Sequence, residues 1–196
     1  MFYRKYMKRT LDFIIALFAL PFWIIIFLIV FLLIKIDDGG PIFYNAERLG
    51  KNGKIFKMYK FRSMKVNAPD IRNKDGSTFN AVDDPRLTKV GAILRKTSSD
   101  ETAQLLNVLV GDMSLVGPRP FLPVKGFTPQ GFAKDRLMVR PGLTGYAQAY
   151  YRNSINQKRQ EEIDSYYANN LNFILDAKIV LKTIKTVLLR ENIYHS

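Results

Sequence analysis

The segment FIIALFALPFWIIIFLIVFLLI, Phe13 to Ile34, holds 22 residues without a charge. At about 1.5 Å per residue, a helix of that length can cross a hydrocarbon core of about 30 Å. A cleaved signal peptide fits poorly, because the run exceeds an ordinary signal core and the following KIDDGGPIF offers no small-x-small cleavage site. A helix apolar on every side is also too long to bury inside a small domain, so the segment reads as membrane-associated. Arg4, Lys5, Lys8 and Arg9 precede it, which favours a cytoplasmic N-terminus. The chain beyond Lys35 is basic as well, so both flanks prefer the same side. Pro21 lies in the middle, where it removes a backbone hydrogen bond and bends a helix. Residues 1–36 are therefore expected to form a re-entrant, membrane-inserted helix hairpin, with 37–196 as a cytoplasmic domain. A straight span with a kink is the alternative.

Composition narrows the chemistry. The 196 residues carry 30 Lys and Arg against 17 Asp and Glu, a net charge of +13, with no cysteine. That excludes disulfides, a Cys nucleophile and Cys-based metal sites. The one histidine, His195, is next to the end, which argues against a Ser-His-Asp triad or a multi-His metal site. Catalysis must then rest on carboxylates, Lys, Tyr or hydroxyls, with a hard metal ion as helper. The basic excess points to an anionic partner. KIFKMYKFRSMK, Lys54 to Lys65, interleaves cations and aromatics as nucleic-acid binders do. No nucleic-acid module accompanies it, so no nucleic acid is expected as a partner. GxxxxGK[ST] and GxGxxG are absent.

Past the apolar run, Asp37 to Pro41 reads as a turn, followed by short strands near Ile42–Tyr44 and Ile55–Phe61. Lys65 to Arg86 is polar and aperiodic, a mobile loop or lid. A helix is expected over Ser99–Val110, irregular segments over 117–125 and 139–148, and helices over 156–169 and 173–190. In the last, Phe173, Ala177, Val180, Ile184 and Leu188 repeat at helical spacing and Lys178, Lys182 and Lys185 share another face. Such a helix lies on a membrane surface or packs on its own domain. The fold class is α/β, mainly helical.

Within Thr97 to Gln104, Ser98 and Glu101 fit a capping box. Asp100 then sits in the first turn, where free N–H groups and the helix dipole favour its ionised form and a docked phosphate. Ordinary helix capping explains the same residues. Arg95, Arg119, Arg140 and Arg152 surround this helix in sequence. Guanidinium forks match phosphate oxygens in pairs, and Arg119 is held between Pro118 and Pro120.

Together these motifs resemble the bacterial sugar transferase family. The resemblance rests on Lys8-Arg9-x-x-Asp12 before the apolar run, Tyr59-Lys60-Phe61-Arg62-Ser63-Met64, Asp84-Pro85-Arg86, Asp100-Glu101-x-x-Gln104, Asn107-Val108-Leu109-x-Gly111-Asp112-Met113-Ser114, Gly117-Pro118-Arg119-Pro120 and Arg140-Pro141-Gly142-x-Thr144-Gly145-x-Ala147-Gln148. It runs from about residue 4 to 190. Two positions depart from the family pattern: Thr102-Ala103 stands where Leu-Pro is usual, and Leu20 precedes the membrane proline where Ser is usual. The resemblance implies a small monotopic phosphoglycosyl transferase at the cytoplasmic face of the bacterial inner membrane, its catalytic domain carrying interfacial amphipathic helices. It implies transfer of a sugar-1-phosphate from a UDP-sugar donor to polyprenyl (undecaprenyl) phosphate, with release of UMP and an aspartyl-phosphosugar intermediate. Asp100 is then the nucleophile and a Mg²⁺ contact, and Glu101 its acid/base or metal-positioning partner. Arg95, Arg119 and Arg152 hold phosphate, with Lys60 and Arg62 as further candidates. The rival reading is a non-catalytic module, anchored in the membrane, that binds anionic lipid; it leaves Asp100, Glu101 and the Gly-Pro-Arg-Pro loop without a role.

Overall fold

The computed structural model describes residues 2–71, 79, 84–123, 129–151 and 154–188. It is mainly helical, with two small sheets. A π-helical turn, Tyr3–Met7, leads into α1, Lys8–Asp37, an unbroken helix of 30 residues that contains Pro21. No turn divides it, so the expected two-armed hairpin takes the form of one continuous helix. Proline at this position removes only the bond to the Leu17 carbonyl, and the apolar residues on either side carry the ladder past it. Among the described residues this is the one helix long and apolar enough to cross a membrane.

A narrow stripe of α1, from Lys8 and Asp12 through Ala16, Trp23 and Val30 to Ile34, is buried at spacings of four and seven. Phe18, Phe22, Ile25, Ile29, Leu32 and Ile36 stay exposed on the other sides. Both ends of the helix are bonded to the same body. At the N-terminal end, Lys8 Nζ donates to Asp176 at 2.6 Å, the Arg9 fork donates to the Val108 and Leu109 carbonyls, and Asp12 accepts from Ser114 Oγ at 2.7 Å. Tyr3 and Tyr167 also donate to Asp176, so this buried carboxylate is fully partnered, as burial of charge requires. At the C-terminal end, Asp37 accepts from the Val90 N–H at 3.0 Å and Asp38 pairs with Arg62.

β1, Phe43–Leu49, and β2, Ile55–Phe61, form an antiparallel hairpin in register Phe43↔Phe61 to Leu49↔Ile55. β1 extends five residues beyond the expected Ile42–Tyr44 because cross-strand pairing continues it through polar positions. Phe43 and Phe61 stack on Phe27 and Trp23 of α1, at centroid distances of 5.8 and 6.2 Å. α2, Lys89–Lys96, begins at Thr88, whose hydroxyl accepts from the Gly91 N–H at 2.9 Å. The end of β2 crosses α2 so closely that a Cβ on Gly91 would lie 1.8 Å from the Ser63 carbonyl oxygen.

A 3-10 segment, Ser99–Gln104, then runs into α3, Leu105–Val110, which ends at Gly111 with φ +98°. The helix expected over Ser99–Val110 is thus a tight turn followed by a short helix. β3, Ser114–Val116, and β4, Gly142–Thr144, pair in parallel. The expected irregular segment over 139–148 contains β4 and the short helix α5, Tyr146–Tyr150; α4 spans Phe132–Arg136. Strands of three residues and helices of five leave no hydrophobic period to read. α6, Gln157–Asn170, and α7, Phe173–Leu188, match the expected helices within two residues. α7 buries Asp176, Ile179 and Thr186 while Phe173, Ile174, Leu181 and Ile184 remain exposed. Part of the expected 65–86 loop, 72–78 and 80–83, lies outside the described residues.

Candidate active site

The site forms where β2 passes the 3-10 segment. Asn107 sets the height of one against the other: its side-chain oxygen accepts from the Tyr59 N–H at 2.9 Å and its amide donates to the Lys57 carbonyl at 2.8 Å. Asn107 has no exposure, and it gives β2 the edge partner that a two-stranded sheet lacks. Lys60, the next residue of β2, is thereby brought to Asp100 and Glu101. Its ammonium lies 3.0 Å from Asp100 Oδ2 and 3.1 Å from Glu101 Oε1. Asp100 is 5% exposed, so its charge depends on that ammonium.

The capping box does not form. Ser98 sits at φ +57° without a side-chain cap, and the Glu101 carboxylate turns instead to Lys60 and to Arg119 Nη2 at 3.7 Å. Two cations attract a carboxylate more strongly than one neutral backbone N–H does. The electrostatics differ correspondingly from a simple helix-dipole effect. Burial raises the Asp100 pKa above the ordinary carboxylate value, against the opposing pull of Lys60. Burial also pushes Glu101 upward, but Lys60 and Arg119 outweigh it and bring its pKa down to about 2. The neighbouring carboxylate raises Asp100 further. One of the pair holds its charge firmly, and the other carries the strain of two adjacent negative charges.

Arg119 stands on the β3–β4 pair. Gly117 N donates to the Thr144 carbonyl at 2.8 Å and Gly142 N to the Pro118 carbonyl at 2.9 Å, which anchors the Gly-Pro-Arg-Pro loop beneath it. Its side chain is 53% exposed, so the fork is accessible beside Glu101. Arg95, in the last turn of α2, donates through Nε to Ser63 Oγ at 3.3 Å, and its charge lowers the pKa of both Asp100 and Glu101.

Arg62 is not part of this constellation. Its Nε donates to the Pro41 carbonyl at 2.7 Å and its terminal nitrogens are taken by Asp38 and the Met64 carbonyl. Lys60 is in β2, whereas Arg62 lies just past the strand's end at Phe61, where Asp38 and the Pro41 and Met64 carbonyls claim it and it ties the end of α1 to the sheet. Arg140 likewise donates to the Gly111 carbonyl at 2.8 Å, closing α3. Arg152 lies outside the described residues. Lys60, a secondary candidate by sequence, is the geometric centre of the site. Ser63, Asp84 and Asn107 escaped notice as contributors; their only signal is membership of the motifs that carry Lys60, Arg86 and Asp112.

No group of three or more His, Cys, Asp or Glu side chains gathers among the described residues. The available donors are the carboxylate oxygens of Asp100 and Glu101, held together by a cation. That set fits a hard divalent ion that takes its remaining oxygens from substrate phosphate and water.

Comparison with known proteins shows the family. The family model described as bacterial sugar transferase matches residues 3–190. The chain is 41% identical over 189 residues to the uncharacterized sugar transferase EpsL of Bacillus subtilis, covering 95% of this chain and 90% of that one. It is 40% identical to the exopolysaccharide production protein ExoY of Sinorhizobium fredii, covering 95% and 88% of the two chains. With the undecaprenyl-phosphate galactose phosphotransferase of Salmonella typhimurium it shares 38% identity over 97% of this chain but only 42% of that longer protein. A match along almost the whole chain, with the clasped carboxylate pair at its centre, makes this protein an enzyme of the bacterial sugar transferase family.

Proposed function

We propose that the enzyme moves a sugar-1-phosphate from a UDP-sugar to polyprenyl phosphate and releases UMP. The observation that carries this reading is Lys60 clasping Asp100 and Glu101, with Arg119 beside the pair. Relatives named for galactose and N-acetylgalactosamine phosphotransfer to undecaprenyl phosphate support the substrate class.

A pyrophosphate donor and a phosphate acceptor repel each other, so both must meet neutralising charge. An Asp100 oxygen attacks the phosphorus that bears the sugar; the bond from that phosphorus to the bridging oxygen breaks, and UMP leaves with it. The phosphosugar remains on Asp100 as an acyl phosphate. An oxygen of the lipid phosphate then attacks the same phosphorus, the Asp100–phosphorus bond breaks, and the carboxylate is restored. Lys60 keeps Asp100 deprotonated when the donor arrives, and Glu101, held ionised with its pKa at about 2, orients that ammonium and serves as the metal-positioning partner. Arg119 and Arg95 hold phosphate oxygens in their forks, Arg152 being assigned the same role by resemblance alone. Asp100 and Glu101 would hold Mg²⁺, which supplies charge neutralisation at the phosphates when bound.

Residues 1–36 serve as the membrane element and 37–196 as the catalytic domain. Both ends of α1 are bonded to the catalytic domain, which supports insertion from the cytoplasmic face of the inner membrane. The exposed apolar face of α7 would lie in the same interface. Soluble donor and lipid acceptor then reach one site in turn.

The test is incubation with Mg²⁺ and a panel of UDP-sugars, beginning with UDP-galactose and UDP-N-acetylgalactosamine, without lipid. Stoichiometric UMP release and a protein heavier by one phosphosugar on the Asp100 peptide are expected, and Asp100→Asn should abolish both. Substantial turnover by Asp100→Asn would overturn the covalent mechanism.

A further inference from the structure

We propose that Asp84 is a positioning residue that aims Arg95 at the donor phosphates; the proposal deepens the transferase reading and rests on it. Asp84 is 4% exposed. One of its oxygens accepts from Arg86 Nε at 2.8 Å and from the Arg86 N–H at 3.1 Å. The other accepts from Arg86 Nη2 at 2.7 Å and lies 3.6 Å from Arg95 Nη1. A single buried carboxylate thus faces two guanidinium groups.

The two arginines have different duties. Arg86 spends its remaining donors on the Pro69 and Phe79 carbonyls, each at 3.2 Å, and so ties the chain ahead of α2 to itself. Arg95 is gripped from two sides, by Asp84 at Nη1 and by Ser63 Oγ at Nε. Ser63 is in turn locked to α2, because the Thr88 N–H donates to its carbonyl at 3.1 Å and Gly91 leaves no room between them. Asp84 and Ser63 therefore set the direction of a long, flexible side chain whose charge reaches both candidate catalytic carboxylates. A guanidinium held in this way meets phosphate with its fork already oriented.

The experiment is a double-mutant cycle on full-length enzyme in detergent, reading UMP release against the concentration of the UDP-sugar that the panel identifies. Asp84→Asn should raise the donor KM about 10-fold and leave the lipid-acceptor KM within about twofold. In an Arg95→Ala background Asp84→Asn should cost nothing further, because its route of action is already gone. Ser63→Ala loosens Arg95 without touching Arg86; it should raise the donor KM about threefold with an unchanged thermal midpoint, and it keeps the proposal testable if Asp84→Asn fails to fold. Equal losses from Asp84→Asn with and without Arg95, or a donor KM unmoved by Ser63→Ala, would overturn the proposal. Failure of the transferase reading looks different: the wild-type enzyme itself would release no UMP from any UDP-sugar, and both ideas would fall.

Discussion

Replacing Lys60 by Met keeps the length of the side chain and removes the charge that holds the site together. Its ammonium makes contacts of 3.0 and 3.1 Å with Asp100 and Glu101. At an effective dielectric constant of about 20, each is worth about 5 kcal/mol. Lys60 and Glu101 are 23% and 28% exposed, so solvent screens part of this and the net loss falls to the roughly 3–5 kcal/mol expected when a buried pair loses one partner. Two adjacent carboxylates without their cation will share one proton. Asp100 takes it, because burial already raises its pKa. Without the opposing pull of Lys60, the Asp100 pKa rises further. A protonated carboxyl is no nucleophile, so turnover at neutral pH should drop by at least about 100-fold and recover in part as the pH rises. Lys60→Arg, which keeps the charge, should retain more activity than Lys60→Met. The stability effect has its own sign. Glu101, with its pKa lowered to about 2, contributes stability that is present above its ordinary value of 4.5 and lost as the pH falls toward 2. Lys60→Met should flatten that acid limb in thermal unfolding. UMP release from about pH 6 to 9 is the assay. Activity of Lys60→Met within threefold of wild type, with an unchanged pH profile, would show that the Lys60 ammonium is not what keeps Asp100 ionised.

Arg119→Lys keeps a cation near Glu101 but loses the fork, and kcat/KM for UMP release should fall roughly 10- to 100-fold, as loss of about 1.5–3 kcal/mol implies. Gly91→Ala forces a methyl against the Ser63 carbonyl, where only 1.8 Å is available, and should destabilise the fold by about 1–3 kcal/mol or more in thermal or denaturant unfolding. Because the chain has no cysteine, single cysteines at the exposed Lys5 and Lys158 report topology. Both should resist a membrane-impermeant thiol reagent in intact cells and react once the cytoplasmic face is opened; labelling at Lys5 alone in intact cells would rule out same-side insertion.

The chain's division of labour was readable before any contact was known. Twenty-two consecutive uncharged residues made the long apolar helix legible from composition. The absence of cysteine and the single histidine pointed to carboxylates, Lys, Tyr or hydroxyls, and Asp100 beside Glu101 was visible as a pair. α6 and α7 were also legible as helices, and each is long enough to show in the sequence. What the sequence left undecided was everything that depends on contacts between distant segments. Lys60 and Arg62 stand two residues apart in one motif, yet one meets Asp100 and Glu101 while the other is consumed by Asp38 and by backbone carbonyls. Ser98 and Glu101 have the spacing of a cap, but cations 41 residues before Glu101 and 18 after it claim that carboxylate instead. β3 and β4 are too short to show a pattern and exist only because they find each other across the chain. Local propensity is written in neighbouring residues; which charge meets which is decided by packing, and packing brings together residues that sequence spacing keeps apart.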